Sequence, residues 1–361
     1  MIMINTRSNN LDVVRCISNY LIIVMHASAA LQYCTSGGAE NDIWIFICGC
    51  LTQYALPALF LISGYLLFKN YSFESYPKKL VRRIKRLFVP YVVWNITFVG
   101  FFLACKSFVP RLAARVSSFG LDTLSGAFSK ILSLTVHPID GPLWFLRTLF
   151  ILSLVSPLFY CIIKSNRTIV RYSGLLFIMI AYVVCGYMGW INSLLMTYPL
   201  YAITLFYVGG LLATSKMDVS LEFKSNLWLL PSVVGLGLMV VVIFSPQNAD
   251  TSLYATFNDL GKLLMTPGLF YMVSKFNLGS KAETKFFIYA KDMSFFAYAG
   301  HFLFCSMLMH TTASFLGSMT YGKATLLISV FCLVGVSVMA MIYKVGKKII
   351  PHVMKLYDGT L

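Results

Sequence analysis

LWLLPSVVGLGLMVVVIF, residues 227–244, contains no charged residue and no alternation of apolar with polar positions. A membrane-spanning strand alternates lipid-facing with lumen-facing residues over short segments, so this run reads as a helix. An apolar run of about 20 residues crosses the hydrocarbon core in helical form. Outward from it, comparable runs recur near 11–34, 42–68, 88–105, 143–163, 172–190, 195–214, 254–274, 292–316 and 323–344. Together they predict an all-α, polytopic integral membrane protein with about ten transmembrane helices. No internal repeat, low-complexity segment or matched pair of broken helices divides the 361 residues. The expectation is one transmembrane domain over 1–361.

Charged residues make up 12% of the chain, about half of the roughly 25% usual in soluble domains. The formal charge is nevertheless +16, from 29 Lys and Arg against 13 Asp and Glu. Topology accounts for that excess better than nucleic acid does. Lys and Arg accumulate on cytoplasmic loops, and ten spans with both termini cytoplasmic place most of them there. The densest segment is KNYSFESYPKKLVRRIKR at 69–86; the longest outer segment is 106–142. The lipid bilayer is therefore an expected partner and nucleic acid is not. The nine cysteines form no CxxC pair and read as small buried hydrophobes, so no metal site is expected. Arg15, the apolar stretch after it and ASA at 27–29 outline a cleavable signal. Asp12 beside the basic residue, and Ser18 with Asn19 in the apolar stretch, favour an uncleaved span instead.

That first span, LDVVRCISNYLIIVMHA at 11–27, carries Asp12, Arg15, Asn19 and His26. A helix turns about 100° and rises about 1.5 Å per residue, so Arg15 and His26 are separated by about 1100° and about 16 Å. They share a face at different depths. Ionisable groups inside a membrane cost on the order of 3 kcal/mol or more unless they face protein or a watery cavity. The plain alternatives are an Asp12–Arg15 pair one turn apart and a His26 satisfied by a neighbouring helix. Together on one face, the two point to the wall of a passage. In the ninth span Ser294, Tyr298 and His301 fall at i, i+4 and i+7 and form one stripe. His310, half a turn away from His301, reads as structural.

The ordered set of motifs resembles the membrane-bound acyltransferase 3 family. LDVVR is followed after ten residues by His26. LFLISGYLLF follows at 59–68, RRIKRLFVPYVVW at 82–94, GPLWFLRTLFIL at 141–152 and SFFAYAGHFLF at 294–304. The resemblance covers nearly the whole chain, with the family's ten-helix pattern. It implies an O-acyltransferase that moves an acyl group, commonly acetyl from acetyl-CoA, onto a hydroxyl of a cell-surface sugar or related acceptor. It also implies a bacterial cytoplasmic membrane, and singles out Arg15, His26, the arginines of RRIKR and Trp144. The acceptor, a glycan or lipid-linked sugar, is left open.

Coenzyme A is a polyanion, and no permanently bound cofactor is needed beside it. Arg82, Arg83 and Arg86 offer planar donors suited to phosphate, with Arg82 and Arg86 on one helix face at i, i+4. The alternative is a basic flank that only orients the spans. His26 is placed to remove the acceptor hydroxyl's proton or to carry the acyl group itself; the sequence leaves both open. Arg15 serves the coenzyme's phosphate end or supports the passage. His301 is a further catalytic candidate, and Tyr298, Trp144 and Arg147 are candidates for substrate contact. Trp144 also suits an interfacial anchor. His137 and Asp140, in HPIDG, suit either a sugar contact or a polar loop. Asp259 and Lys262 are expected to neutralise each other, and Ser63 with Gly64 to let helices approach closely. The competing reading is a transporter or flippase of a glycan or lipid precursor, its route lined by the same charged residues.

Overall fold

The computed structural model describes residues 2–31, 46–47, 49–105, 123–132, 138–187, 199–215, 217, 224–244, 251–316 and 321–361. His137, Lys216 and much of the outer segment 106–142 lie outside the described residues. In chain order the helices are α1 (Ile2–Leu31), α2 (Ala55–Phe68), α3 (Tyr76–Arg83), α4 (Val89–Cys105), α5 (Leu124–Leu132), α6 (Trp144–Leu154) and α7 (Ser156–Ile163). They continue as α8 (Thr168–Tyr187), α9 (Leu200–Thr214), α10 (Leu229–Phe244), α11 (Thr251–Lys275), α12 (Lys285–Leu316), α13 (Tyr321–Ile349) and α14 (Pro351–Asp358). Among the described residues every regular element is helical.

Among the described residues four segments are long and apolar enough to cross a membrane: Leu51–Phe68, Tyr76–Ala104, Asn226–Phe244 and Ser329–Ile349. A fifth is added if α6, with its short leading turn, and α7 count as one bent span. That bend, 57° at Val155, has a cause. Pro157 opens α7, and a proline can neither donate to the preceding turn nor pack against it. Helices α1, α11 and α12 are 30, 25 and 32 residues long, also enough to cross about 30 Å of hydrocarbon. Each carries polar or charged side chains.

The centre of the bundle is α2 against α9. Of the Leu51–Phe68 segment 72% is buried, against 22% of the apolar windows around α10 and α13, which therefore form the outer layer. Gly64 and Gly209 explain the central approach. A Cβ on Gly64 would collide with the Phe206 carbonyl, and one on Gly209 with the Leu61 carbonyl. Backbone meets backbone there, as small residues permit between membrane helices. Gly64→Leu should thus force the two helices apart and cost about 1–3 kcal/mol or more. Gly237→Ala, where an added Cβ meets nothing within 4 Å, should be tolerated. Thermal unfolding of the two purified variants in detergent checks the contrast.

Helices α1 and α12 run side by side in the same direction. Asp12 pairs with Lys291 at 3.3 Å, Asn19 Nδ2 donates to Ser294 Oγ at 3.1 Å and the Tyr20 hydroxyl donates to the Ala290 carbonyl at 3.1 Å. Further along, the rings of His26 and His301 lie 5.2 Å apart. This seam positions the site.

Candidate active site

At one end of the seam stand two imidazoles. Ser294, Tyr298 and His301 are all buried, so the predicted stripe of α12 faces inward. His301 Nδ1 is hydrogen-bonded to the Tyr298 carbonyl, and its buried Nε2 has no hydrogen-bond partner among the described residues. The Tyr298 hydroxyl donates to the Pro142 carbonyl at 2.6 Å, which ties α12 to the turn that leads into α6. His26 meets His301 on one side and the edge of Phe302 on another, with 6.0 Å between ring centres. A small apolar cleft lies beside His301, bordered by Ile23, Ala297, Val336 and Met339.

The other end is cationic. Arg15 touches Asp12 at 3.8 Å, the predicted pair, but Asp12 is shared with Lys291. Arg83 feels both Arg15 and Arg86 electrostatically, and Arg86 acts on Arg15 as well. Asp12 thus serves Arg15 and Lys291 together, while Arg83 and Arg86 add their charges beside Arg15. The Arg15 side chain keeps 53% of its surface accessible although protein surrounds it. His26, half-buried and likewise enclosed, stands on the same helix farther in.

The basic stretch is not a loop throughout. From Tyr76 it is helical and runs through a π-helical turn, Ile84–Phe88, into α4. The i, i+4 rule that groups Arg82 with Arg86 assumes α geometry, and the i→i+5 bonding of a π turn changes the angular offsets. Arg83 and Arg86 act on one another and on Arg15, whereas Arg82, exposed like Arg86, acts on Lys79. Part of the stretch is structural. Arg83 Nη2 donates to the Ser63 carbonyl at 2.9 Å. Lys79 Nζ donates to the carbonyls of Leu67 and Lys69 at 2.8 and 2.7 Å, closing the C-terminal end of α2.

Trp144 is half-buried against Phe60, with ring centres 6.0 Å apart, and Arg147, one turn on, is buried in α6. Both follow the turn bonded to Tyr298. Asp259 and Lys262 do interact electrostatically, but their close partners differ from expectation. Asp259 accepts from the Tyr182 hydroxyl at 3.0 Å and the Leu200 N–H at 2.7 Å, while Lys262 Nζ sits over the Tyr201 ring at 5.2 Å. Sequence reasoning missed Lys291. Its place on α12, one turn before Ser294, was the available signal.

The acyltransferase domain family matches residues 8–344. The chain belongs to this family. The match takes in the seam, the basic helix and the turn before α6, and with the apolar helices it makes this acyltransferase-family chain a multi-pass membrane protein. Over 130 residues the chain is 28% identical to the succinoglycan biosynthesis protein ExoH of Rhizobium meliloti (strain 1021). That similarity covers 34% of this chain and 33% of the relative, about a third of the curated protein's length. No solved structure matches the chain.

Proposed function

We propose that the protein is an O-acyltransferase that takes an acyl group, acetyl in the first instance, from acyl-CoA on the cytoplasmic side of the membrane. It passes the group to a hydroxyl of a cell-surface or lipid-linked sugar. The observation that carries this reading is the polarity of the α1–α12 seam: Arg15 and Lys291 share Asp12 at one end, with Arg83 and Arg86 within electrostatic reach of Arg15, and two imidazoles meet at the other. Cations in excess of their counter-ions suit the pyrophosphate and 3′-phosphate of the coenzyme. Arg82, outside that cluster, attracts the same polyanion from a distance.

His26 acts as the general base. It takes the proton of the acceptor hydroxyl as that oxygen attacks the thioester carbonyl, and the coenzyme leaves as its thiolate. His301, whose Nδ1–H donates to the Tyr298 carbonyl, accepts through Nε2 from a neighbouring hydroxyl of the same sugar, while Tyr298, Trp144 and Arg147 shape the acceptor side. The small cleft beside His301 suits a short acyl group better than a long one. Ten spans with both termini cytoplasmic, in a bacterial cytoplasmic membrane, are consistent with α1 and α12 running in the same direction, since both would cross from the inside outward. Similarity to a protein named for succinoglycan biosynthesis supports a polysaccharide acceptor. Incubating the purified protein with labelled acetyl-CoA and a panel of glycans should transfer label to a sugar hydroxyl. Label that is only hydrolysed, or left on the coenzyme with every glycan, would count against the proposal.

A further inference from the structure

The turn before α6 holds a carboxyl that the fold does not use. Asp140 has no accessible surface, and neither carboxylate oxygen has a hydrogen-bond partner among the described residues. The turn is secured by other groups. The Asp140 N–H donates to Asn95 Oδ1 at 3.2 Å, and its carbonyl accepts from the Leu143 N–H at 3.0 Å. Asn95, itself buried, donates to the Tyr91 carbonyl at 2.7 Å, and the Tyr298 hydroxyl holds the Pro142 carbonyl from the opposite side. Removing the side-chain carboxyl would break none of these bonds. Burying an unpaired carboxyl is costly, and such groups in native proteins call for an explanation beyond packing.

Its neighbourhood supplies one. Asp140 lies near enough to Tyr298 to act on it electrostatically, and the Tyr298 carbonyl holds His301, whose Nε2 is another buried polar atom without a hydrogen-bond partner among the described residues. A hydrogen-bond acceptor and an imidazole nitrogen are thus both left unsatisfied around one tyrosine. The anionic coenzyme is a poor occupant for a carboxylate, and its cations are gathered at the other end of the seam. A neutral polyol suits it chemically: neighbouring hydroxyls can donate to the two carboxyl oxygens without adding negative charge, and the hydroxyl to be acylated can meet the imidazoles. We infer that Asp140 is an acceptor-binding residue that takes hydrogen bonds from the hydroxyls of a neutral sugar unit and disfavours an anionic one. The inference deepens the acyltransferase reading and rests on it for the word acceptor.

Binding separates the two. Wild-type full-length protein in detergent, without acyl-CoA, is titrated with neutral hexose oligosaccharides and with a uronic-acid oligosaccharide. Asp140→Asn and Asp140→Leu are titrated in parallel, and the melting temperature of each protein is recorded. The expected result is wild-type binding of a neutral oligosaccharide in preference to the anionic one, weakened tenfold or more in both variants. Their melting temperatures should equal or exceed that of the wild type, because a buried unpaired carboxyl has been removed. Equal affinity in wild type and Asp140→Asn, no neutral oligosaccharide bound by the wild type, or a marked fall in both variants' melting temperature would overturn it. Asp140-dependent sugar binding without transfer from acyl-CoA would preserve this site and overturn the acyltransferase reading instead.

Discussion

Replacing His26 by alanine should lower acyl transfer by about 10²–10⁴-fold, the range a positioned acid–base group contributes, while acyl-CoA still binds as it does to the wild type. The two effects separate because the seam separates the groups. His26 stands eleven residues beyond Arg15 on α1, about 16 Å further along the helix axis, and its ring neighbours are His301 and Phe302. The coenzyme's charged end, held by arginines, does not reach the imidazole. His26→Gln is the useful companion variant, since it keeps a polar side chain but no group that takes a proton at neutral pH. A loss of the same size in both variants points to proton transfer rather than to packing. The readouts are an acyl-CoA binding isotherm and a single-turnover transfer rate.

Arg15→Ala should have the opposite pattern, as should Arg86→Ala. A hydrogen bond to a charged partner contributes about 1.5–3 kcal/mol, so each replacement should weaken acyl-CoA binding by about ten- to a hundredfold. The turnover rate at saturating coenzyme should change much less. Arg82→Ala should have the smallest effect of the group, because Arg82 lies outside the Arg15–Arg83–Arg86 cluster, and that effect should shrink further at high salt, where a distant charge is screened. Arg83 is the poorest test. It also donates to the Ser63 carbonyl, so Arg83→Ala mixes coenzyme binding with the docking of α3 on α2. Unchanged affinity in Arg15→Ala and Arg86→Ala would return the cluster to a topological role.

Much of this architecture is legible from local spacing. The unbroken apolar run at 227–244 announces a helix, as found in α10, and the i, i+4, i+7 order of Ser294, Tyr298 and His301 announces an inward stripe, as found in α12. The tight approach expected at Gly64 rests on the absence of a side chain. What stayed hidden depends on tertiary placement or on departures from ideal helices. The Pro157 bend splits a span that reads as continuous apolar sequence. The π turn at Ile84–Phe88 regroups the arginines in a way no α-helical wheel gives. Lys291 and Asp12 lie 279 residues apart, so their pairing has no local signature. Asp140 looks like one residue of a polar loop until its burial and its lack of partners are known. Such an unsatisfied group comes from the packing of α4 and α12 around the turn, which spacing along the chain does not encode.

The central claim is that α1 joins a coenzyme end to a chemical end. It is tested most directly by measuring acyl-CoA affinity and single-turnover transfer together for wild type, Arg15→Ala and His26→Ala. The account predicts a crossed result: His26→Ala binds acyl-CoA with wild-type affinity but transfers at least a hundredfold more slowly, whereas Arg15→Ala binds at least tenfold more weakly but transfers at a near wild-type rate once saturated. A His26→Ala protein that transfers at near wild-type rate, or two variants that lose affinity and rate in parallel, would contradict it.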